Sequence, residues 1–251
     1  MPNMLPHELI AFIDLTSLND NDQWHDIESL AHRATTDFGP VAALCIWPKF
    51  VEQLAQLNTH QELAIATVIN FPLGLDSPDV CLKQAERAII QGANEIDLVI
   101  PYSDLIKGDS KRVADVVRAG KEACKNTAKL KVIIESGELV TERNIKIASE
   151  ISIENGCDFI KTSTGKVPIN ATLDAARYML ETIKTSNLDI GFKASGGIGN
   201  YAQAIEYVNL AKNMFGHDWL TNKHFRFGAS SLLNSLLSPN KAGQIAKEGD
   251  Y

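Results

Sequence analysis

The four cysteines of this 251-residue chain form no C-x-x-C pair. Cys45, Cys81, Cys124 and Cys157 lie far apart, which argues against a disulfide framework and against a cysteine-rich zinc site. The six histidines are equally scattered, with no H-x-H or H-x-x-x-H spacing, so neither a metal nor another cofactor is expected. No run of about 18 apolar residues exists, which excludes a membrane-spanning helix. The opening "MPNMLPHELI" lacks a basic segment followed by an apolar one, so no signal peptide is expected and the cytoplasm is the expected compartment. A net charge of −7 leaves no basic surplus for nucleic acid. A G-x-G-x-x-G turn after the first strand, the mark of an open dinucleotide-binding sheet, is missing as well.

What remains is ordinary in composition, with 45% apolar and 22% charged residues, and regular in pattern. Short apolar runs alternate with helical segments. The runs are "FIDLT" from Phe12, "ALCIW" from Ala43, "IATVINF" from Ile65 and "EIDLVIP" from Glu95. They continue with "KVIIESG" from Lys131, "FIKTSTG" from Phe159, "DIGFKASG" from Asp189 and "FRFGASS" from Phe225. Between them, "DVCLKQAERAIIQG", "SKRVADVVRAGKEAC" and "TLDAARYMLETIK" carry apolar residues at helical spacing. Strand–helix repeats imply parallel strands with crossover helices, and eight of them predict a closed (β/α)₈ TIM barrel. The expected organisation is one α/β domain over residues 1–238, followed by a mobile polar C-terminal tail, 239–251.

Lysines stand inside two of these runs. Lys161 with Ser163, and Lys193 with Ser195, share a face of strands six and seven by the two-residue period. If that face is the barrel interior, two ammonium groups meet on neighbouring strands about 4.8 Å apart. Like charges disfavour each other, so one lysine loses its proton near neutral pH. A neutral amine attacks a carbonyl to give a Schiff base. Lys161 therefore reads as the nucleophile, Lys193 as the charge that activates it, and Asp97 as an ion-pair partner that also relays protons. The bland alternative sends both lysines to the barrel rim.

The loops after strands seven and eight, "KASGG" and "FGASS", suggest phosphate binding. Gly196 and Gly197 expose amides there, and Ser230 is expected to cap the last helix, with Ser231 in its first turn. "STGK" is not a P-loop, because Ile160 and Val167 stand where glycine and a hydroxyl residue are required. Lys166 sits where it adds positive charge. Asp14 and Thr16 either hold a substrate hydroxyl or cap the helix after strand one. Cys45, with no histidine to activate it, reads as packing beside the substrate. Glu135 fits either the site or the core.

With "FIKTSTGK", "GFKASGG", "EIDLVIPY", "KVIIESGEL" and "RFGASSLL" on a barrel, the chain resembles the deoxyribose-phosphate aldolases, from Ile13 to Leu237. The resemblance implies a class I lyase that reversibly cleaves 2-deoxy-D-ribose 5-phosphate to D-glyceraldehyde 3-phosphate and acetaldehyde, in deoxyribonucleotide catabolism. It assigns the Schiff base to Lys161, the lowering of its pKa to Lys193, and proton transfer to Asp97 with Lys193. Gly165, Lys166, Gly196, Gly197, Gly228, Ser230 and Ser231 match phosphate-binding positions. Gly199 departs from the pattern, since many members carry arginine there. Partners are then a sugar phosphate and aldehydes, with a homodimer left open. Alternatives are another Schiff-base sugar-phosphate aldolase and a non-catalytic phosphate-binding barrel. Tyr251, an aromatic ending a polar tail, is a candidate proton relay, against a frayed terminus.

Overall fold

A computed structural model describes residues 4–57, 63–125 and 127–238. The tail from 239, with Tyr251, lies outside the described residues. Eight parallel strands close into a barrel: β1 (Ile13–Ser17), β2 (Ala43–Ile46), β3 (Ala64–Ile69) and β4 (Glu95–Val99), then β5 (Lys129–Ile133), β6 (Phe159–Lys161), β7 (Gly191–Ser195) and β8 (Phe225–Ala229). Each strand pairs with the next in sequence, and β8 closes onto β1 through Asp14 opposite Gly228. A small antiparallel ribbon, Thr35–Thr36 with Gly39–Pro40, stands apart from the barrel. The (β/α)₈ expectation therefore holds, and each of the eight strands overlaps a run read from the sequence, although β5 starts at Lys129 rather than Lys131.

The outer layer comprises α1 (Trp24–Arg33), α2 (Val51–Gln56), α3 (Pro78–Ile90), α4 (Tyr102–Ile106) and α5 (Ser110–Cys124). It continues with α6 (Ser136–Leu139), α7 (Glu142–Glu154), α8 (Leu173–Ser186), α9 (Tyr201–Phe215) and α10 (Leu232–Leu237). Most of the long helices start on a side-chain cap. Ser77, Asp109, Thr141, Thr172 and Asn200 accept the third-residue amide of α3, α5, α7, α8 and α9. Such caps contribute about 1 kcal/mol each and fix where a strand's C-terminal loop ends. The α7 helix stops before Gly156, whose φ of +89° suits glycine. The last helix begins one residue later than expected. Ser231, not Ser230, holds the N-cap position of α10, and its side chain makes no capping hydrogen bond.

Most apolar burial lies between the strands' outer faces and the helices, in one continuous core. The barrel interior differs from strand to strand. Ala43, Cys45, Ala66 and Val68 form a separate apolar cluster on β2 and β3 with Leu18. On the remaining strands the inward positions are mostly ionisable. Phe159 fills the lower interior. A Cβ at Gly191, beside it on β7, would lie 2.3 Å from its ring, so only glycine fits.

Candidate active site

Seven charged side chains project into this interior: Asp14, Glu95, Asp97, Lys131, Lys161, Lys193 and Arg226. Their elements explain the convergence. Asp97 is register partner of Lys131, Lys161 of Lys193, and Lys193 of Arg226. Burying so many ions is costly unless each finds an opposite charge. Here each does. Lys131 Nζ lies 3.1 Å from Asp14, 2.5 Å from Glu95 and 3.0 Å from Asp97. Lys193 Nζ lies 2.6 Å from Asp14 and 2.8 Å from Asp97. Among the described residues, Lys161 Nζ has Asp97 alone, at 2.7 Å. Arg226 joins Asp14 at 2.5 Å to Glu95 at 3.1 Å and stacks over the Phe159 ring, 5.6 Å from its centroid.

The number of carboxylate partners orders the lysines' proton affinities. Burial disfavours all three ammonium groups. For Lys131, Asp14, Asp97 and Glu95 outweigh burial and hold it well above the usual lysine range. For Lys193, Asp14 and Asp97 do the same to a smaller degree. For Lys161 burial prevails, aided by the Lys193 charge and opposed by Asp97, and its pKa falls. This corrects one expectation in part: burial is the leading cause of the lowering, and Lys193 comes after it. The two amines also share one oxygen, Asp97 Oδ2, so a carboxylate bridges the cation pair. Asp97 is buried, yet the three lysines hold it ionised, well below the usual carboxylate value.

Asp14 caps nothing. Burial pushes its pKa up, but Lys131, Lys193 and Arg226 push it further down, and both of its oxygens are engaged by these cations. Cys45 is fully buried, and burial with the Asp97 charge raises its thiol pKa, which suits packing better than attack. Glu135 holds a left-handed backbone, φ +54°, rare for a residue with a side chain. Its carboxylate accepts from Thr164 N at 3.2 Å and Thr164 Oγ1 at 2.5 Å, and so ties the β5 loop to the segment that follows Lys161.

Above this layer opens a cavity of about 540 Å³ at the strands' C-terminal ends. Its wall includes Thr16, Gly165, Lys166, Gly196, Gly197, Gly228, Ser230 and Ser231. Lys161, Lys193, Asp97, Asp14 and Cys45 are not part of the wall; they lie in the adjoining layer. Gly228 joins the two levels, because a Cβ there would meet Lys193 Cε at 3.0 Å and Ser195 Oγ at 2.3 Å. Gly196 and Gly197 adopt φ of +83° and +81°, turning successive amides at the cavity. Lys166 Nζ donates to Leu18 O at 2.7 Å and lies 3.5 Å from Asp20.

Lys131, Glu95 and Arg226 were not singled out from the sequence, although each sits beside apolar residues in a strand, the same signal that marked Lys161. Two further wall residues were missed. Gln203 Oε1 accepts the Gly199 amide at 2.9 Å, and Asn170 packs on Gly196 with no hydrogen-bond partner among the described residues for its buried Oδ1. Among the described residues no three His, Cys, Asp or Glu side chains are grouped to hold a metal ion, and no helix is long and apolar enough to cross a membrane.

Residues 8–238 match the sequence profile of the DeoC/LacD family aldolases. Solved structures agree in fold. A Coccidioides immitis protein provisionally assigned as a deoxyribose-phosphate aldolase superposes with TM-score 0.81 at 28% identity, over 93% of this chain and 87% of its own. The tetrameric deoxyribose phosphate aldolase of Aeropyrum pernix gives 0.77 at 26% identity, over 94% and 93%. An aldolase designated QR15 gives 0.79 at 29%, over 96% and 99%. A barrel with paired lysines inside it, matched by this profile over nearly its whole length, leads to one assignment: the chain belongs to the DeoC/LacD family of aldolases.

Proposed function

We propose that this aldolase reversibly cleaves 2-deoxy-D-ribose 5-phosphate to D-glyceraldehyde 3-phosphate and acetaldehyde through a Schiff base on Lys161. The observation that carries the proposal is the ladder of lysine partners: three carboxylates for Lys131, two for Lys193, one for Lys161. The lysine with the fewest is the one that gives up its proton.

The neutral amine of Lys161 attacks C1 of the open-chain sugar, and the carbinolamine loses water to form an iminium. Removal of the C3 hydroxyl proton breaks the C2–C3 bond. The bonding pair moves into the iminium, which becomes an enamine, and glyceraldehyde 3-phosphate leaves. Protonation of the enamine carbon and hydrolysis then free acetaldehyde and restore the amine. Lys193 and Asp97 are the groups proposed to carry these protons, since both Lys161 and Lys193 donate to Asp97 Oδ2. The small apolar patch of Ala43, Cys45, Ala66 and Val68 suits a two-carbon fragment. The amides of Gly196 and Gly197, the hydroxyls of Ser230 and Ser231, and Lys166 are the proposed phosphate contacts.

Product analysis tests this. Incubation with 2-deoxyribose 5-phosphate is expected to release acetaldehyde and glyceraldehyde 3-phosphate in equal amounts, unaffected by a chelator. A ketone product in place of acetaldehyde would point to another Schiff-base aldolase, and binding without turnover to a non-catalytic barrel.

A further inference from the structure

The buried ion pairs join three carboxylates, Asp14, Glu95 and Asp97, to four cations, Lys131, Lys161, Lys193 and Arg226. None is more than 3% exposed. Fully ionised, this network carries one surplus positive charge in a space shielded from water. An uncompensated buried charge is strongly unfavourable, so the network is best satisfied with one cation neutral. Arginine cannot supply the neutral group, because guanidinium keeps its proton. Of the lysines, Lys161 gives up the least by losing its proton.

The residues that set this count include two remote from the cavity. Glu95 borders a separate hollow with Asn94, Lys129 and Asp158, around the N-terminal ends of the strands. Arg226 donates to Glu95 from β8. Two chains of ion pairs lead from them to the carboxylate that holds Lys161 through its Oδ2. One runs from Glu95 through Lys131 to Asp97 Oδ1. The other runs from Arg226 through Asp14 and Lys193 to Asp97 Oδ2.

We propose that Glu95 and Arg226 are positioning residues that fix the charge count of the barrel interior, so that Lys161 rests as a neutral amine. The inference rests on Lys161 being the reacting amine. Other groups act on Lys161 from outside the ion pairs. Cys45 faces it from β2 as a neutral thiol, its pKa raised by burial. Glu135 faces it from the end of β5, bonded to Thr164, its pKa also raised by burial. Neither is altered in the test below.

Glu95→Gln removes an anion and should move the titration of Lys161 to lower pH. Arg226→Met removes a cation, keeps a stem over Phe159, and should move it to higher pH. Each shift should be about one unit, as expected for one charge in a partly screened interior. The double variant removes one of each and should return the midpoint close to the parent's. The readout is the pH dependence of reductive methylation of Lys161 by formaldehyde and cyanoborohydride, followed by peptide mass mapping, which requires a neutral amine but no aldolase turnover. Unmoved midpoints, shifts of the same sign, or a double variant displaced further than either single one would overturn the inference. If Glu95→Gln alone does not fold, Arg226→Met and the double variant still give distinct expectations, a raised midpoint against one close to the parent's. A parent that titrates as described but yields no acetaldehyde would defeat the functional proposal and leave the charge count standing. A parent that cleaves sugar through Lys161 while its variants titrate alike would defeat only the charge count.

Discussion

Below the cavity floor, seven ionised or ionisable side chains are packed out of contact with water; around its outer end, the described wall residues offer glycine amides, hydroxyls and carboxamides, with Lys166 as their one charged side chain. Even that ammonium is already committed to Leu18 O and lies near Asp20. The inner end is built to govern a proton, since low dielectric makes each charge there act strongly on its neighbours. The outer end is built to recognise shape and hydrogen-bond acceptors. A disruption of the first should therefore change rate and pH dependence, and a change in the second should alter affinity.

The largest effect is expected from Lys161→Arg. It keeps a cation beside Asp97 but cannot form a productive Schiff base, so kcat should fall on the order of 10⁴-fold with the fold retained. Substantial residual turnover, in protein with an unaltered circular dichroism spectrum, would place the chemistry elsewhere.

A smaller effect, different in kind, is expected from Lys193→Leu. Removing this cation leaves three carboxylates against three cations, so Lys161 keeps its proton to higher pH. On the proposed mechanism the neutral amine reacts, so the acid limb of kcat/KM should move to higher pH by one unit or more, with activity near pH 7 lowered at least about tenfold. A profile that keeps its position would separate Lys193 from the activation of Lys161.

The smallest effect belongs to the outer end. A Cβ at Gly199 would lie 3.3 Å from Ser231 Oγ and 3.9 Å from Gln203 Oε1, so a side chain there projects between two cavity residues. Gly199→Arg should lower KM for 2-deoxyribose 5-phosphate about tenfold, the worth of one charge-assisted hydrogen bond. KM for unphosphorylated 2-deoxyribose should stay unchanged. Equal changes for both sugars would mean that this position does not face the phosphate.

The barrel was legible because strand and helix periods alternate along the sequence; the caps at Ser77 and Asp109 that start two of the helices were not read. Lys161 and Lys193 were legible because a lysine amid apolar strand residues demands an explanation. Lys131 carries the same mark, between Leu130 and Val132, but it was taken as the first residue of its strand. The strand begins at Lys129, which puts Lys131 at its centre. Glu95 and Arg226 sit near strand starts, where a charged residue usually reaches solvent, and only closure of the barrel brings them together. Asp14 was left open between a substrate contact and a helix cap, the latter because an aspartate before a helix commonly is one. Its three cationic partners come from β5, β7 and β8, and no local pattern could reveal them.

The central claim is that Lys161 is the amine that bonds to substrate. Reduction with borohydride during turnover of 2-deoxyribose 5-phosphate, followed by peptide mapping, tests it directly. The account predicts irreversible inactivation and a single reduced adduct on Lys161, absent when substrate is omitted. An adduct on Lys193 or Lys131, or full protection from borohydride while acetaldehyde is still released, would contradict it.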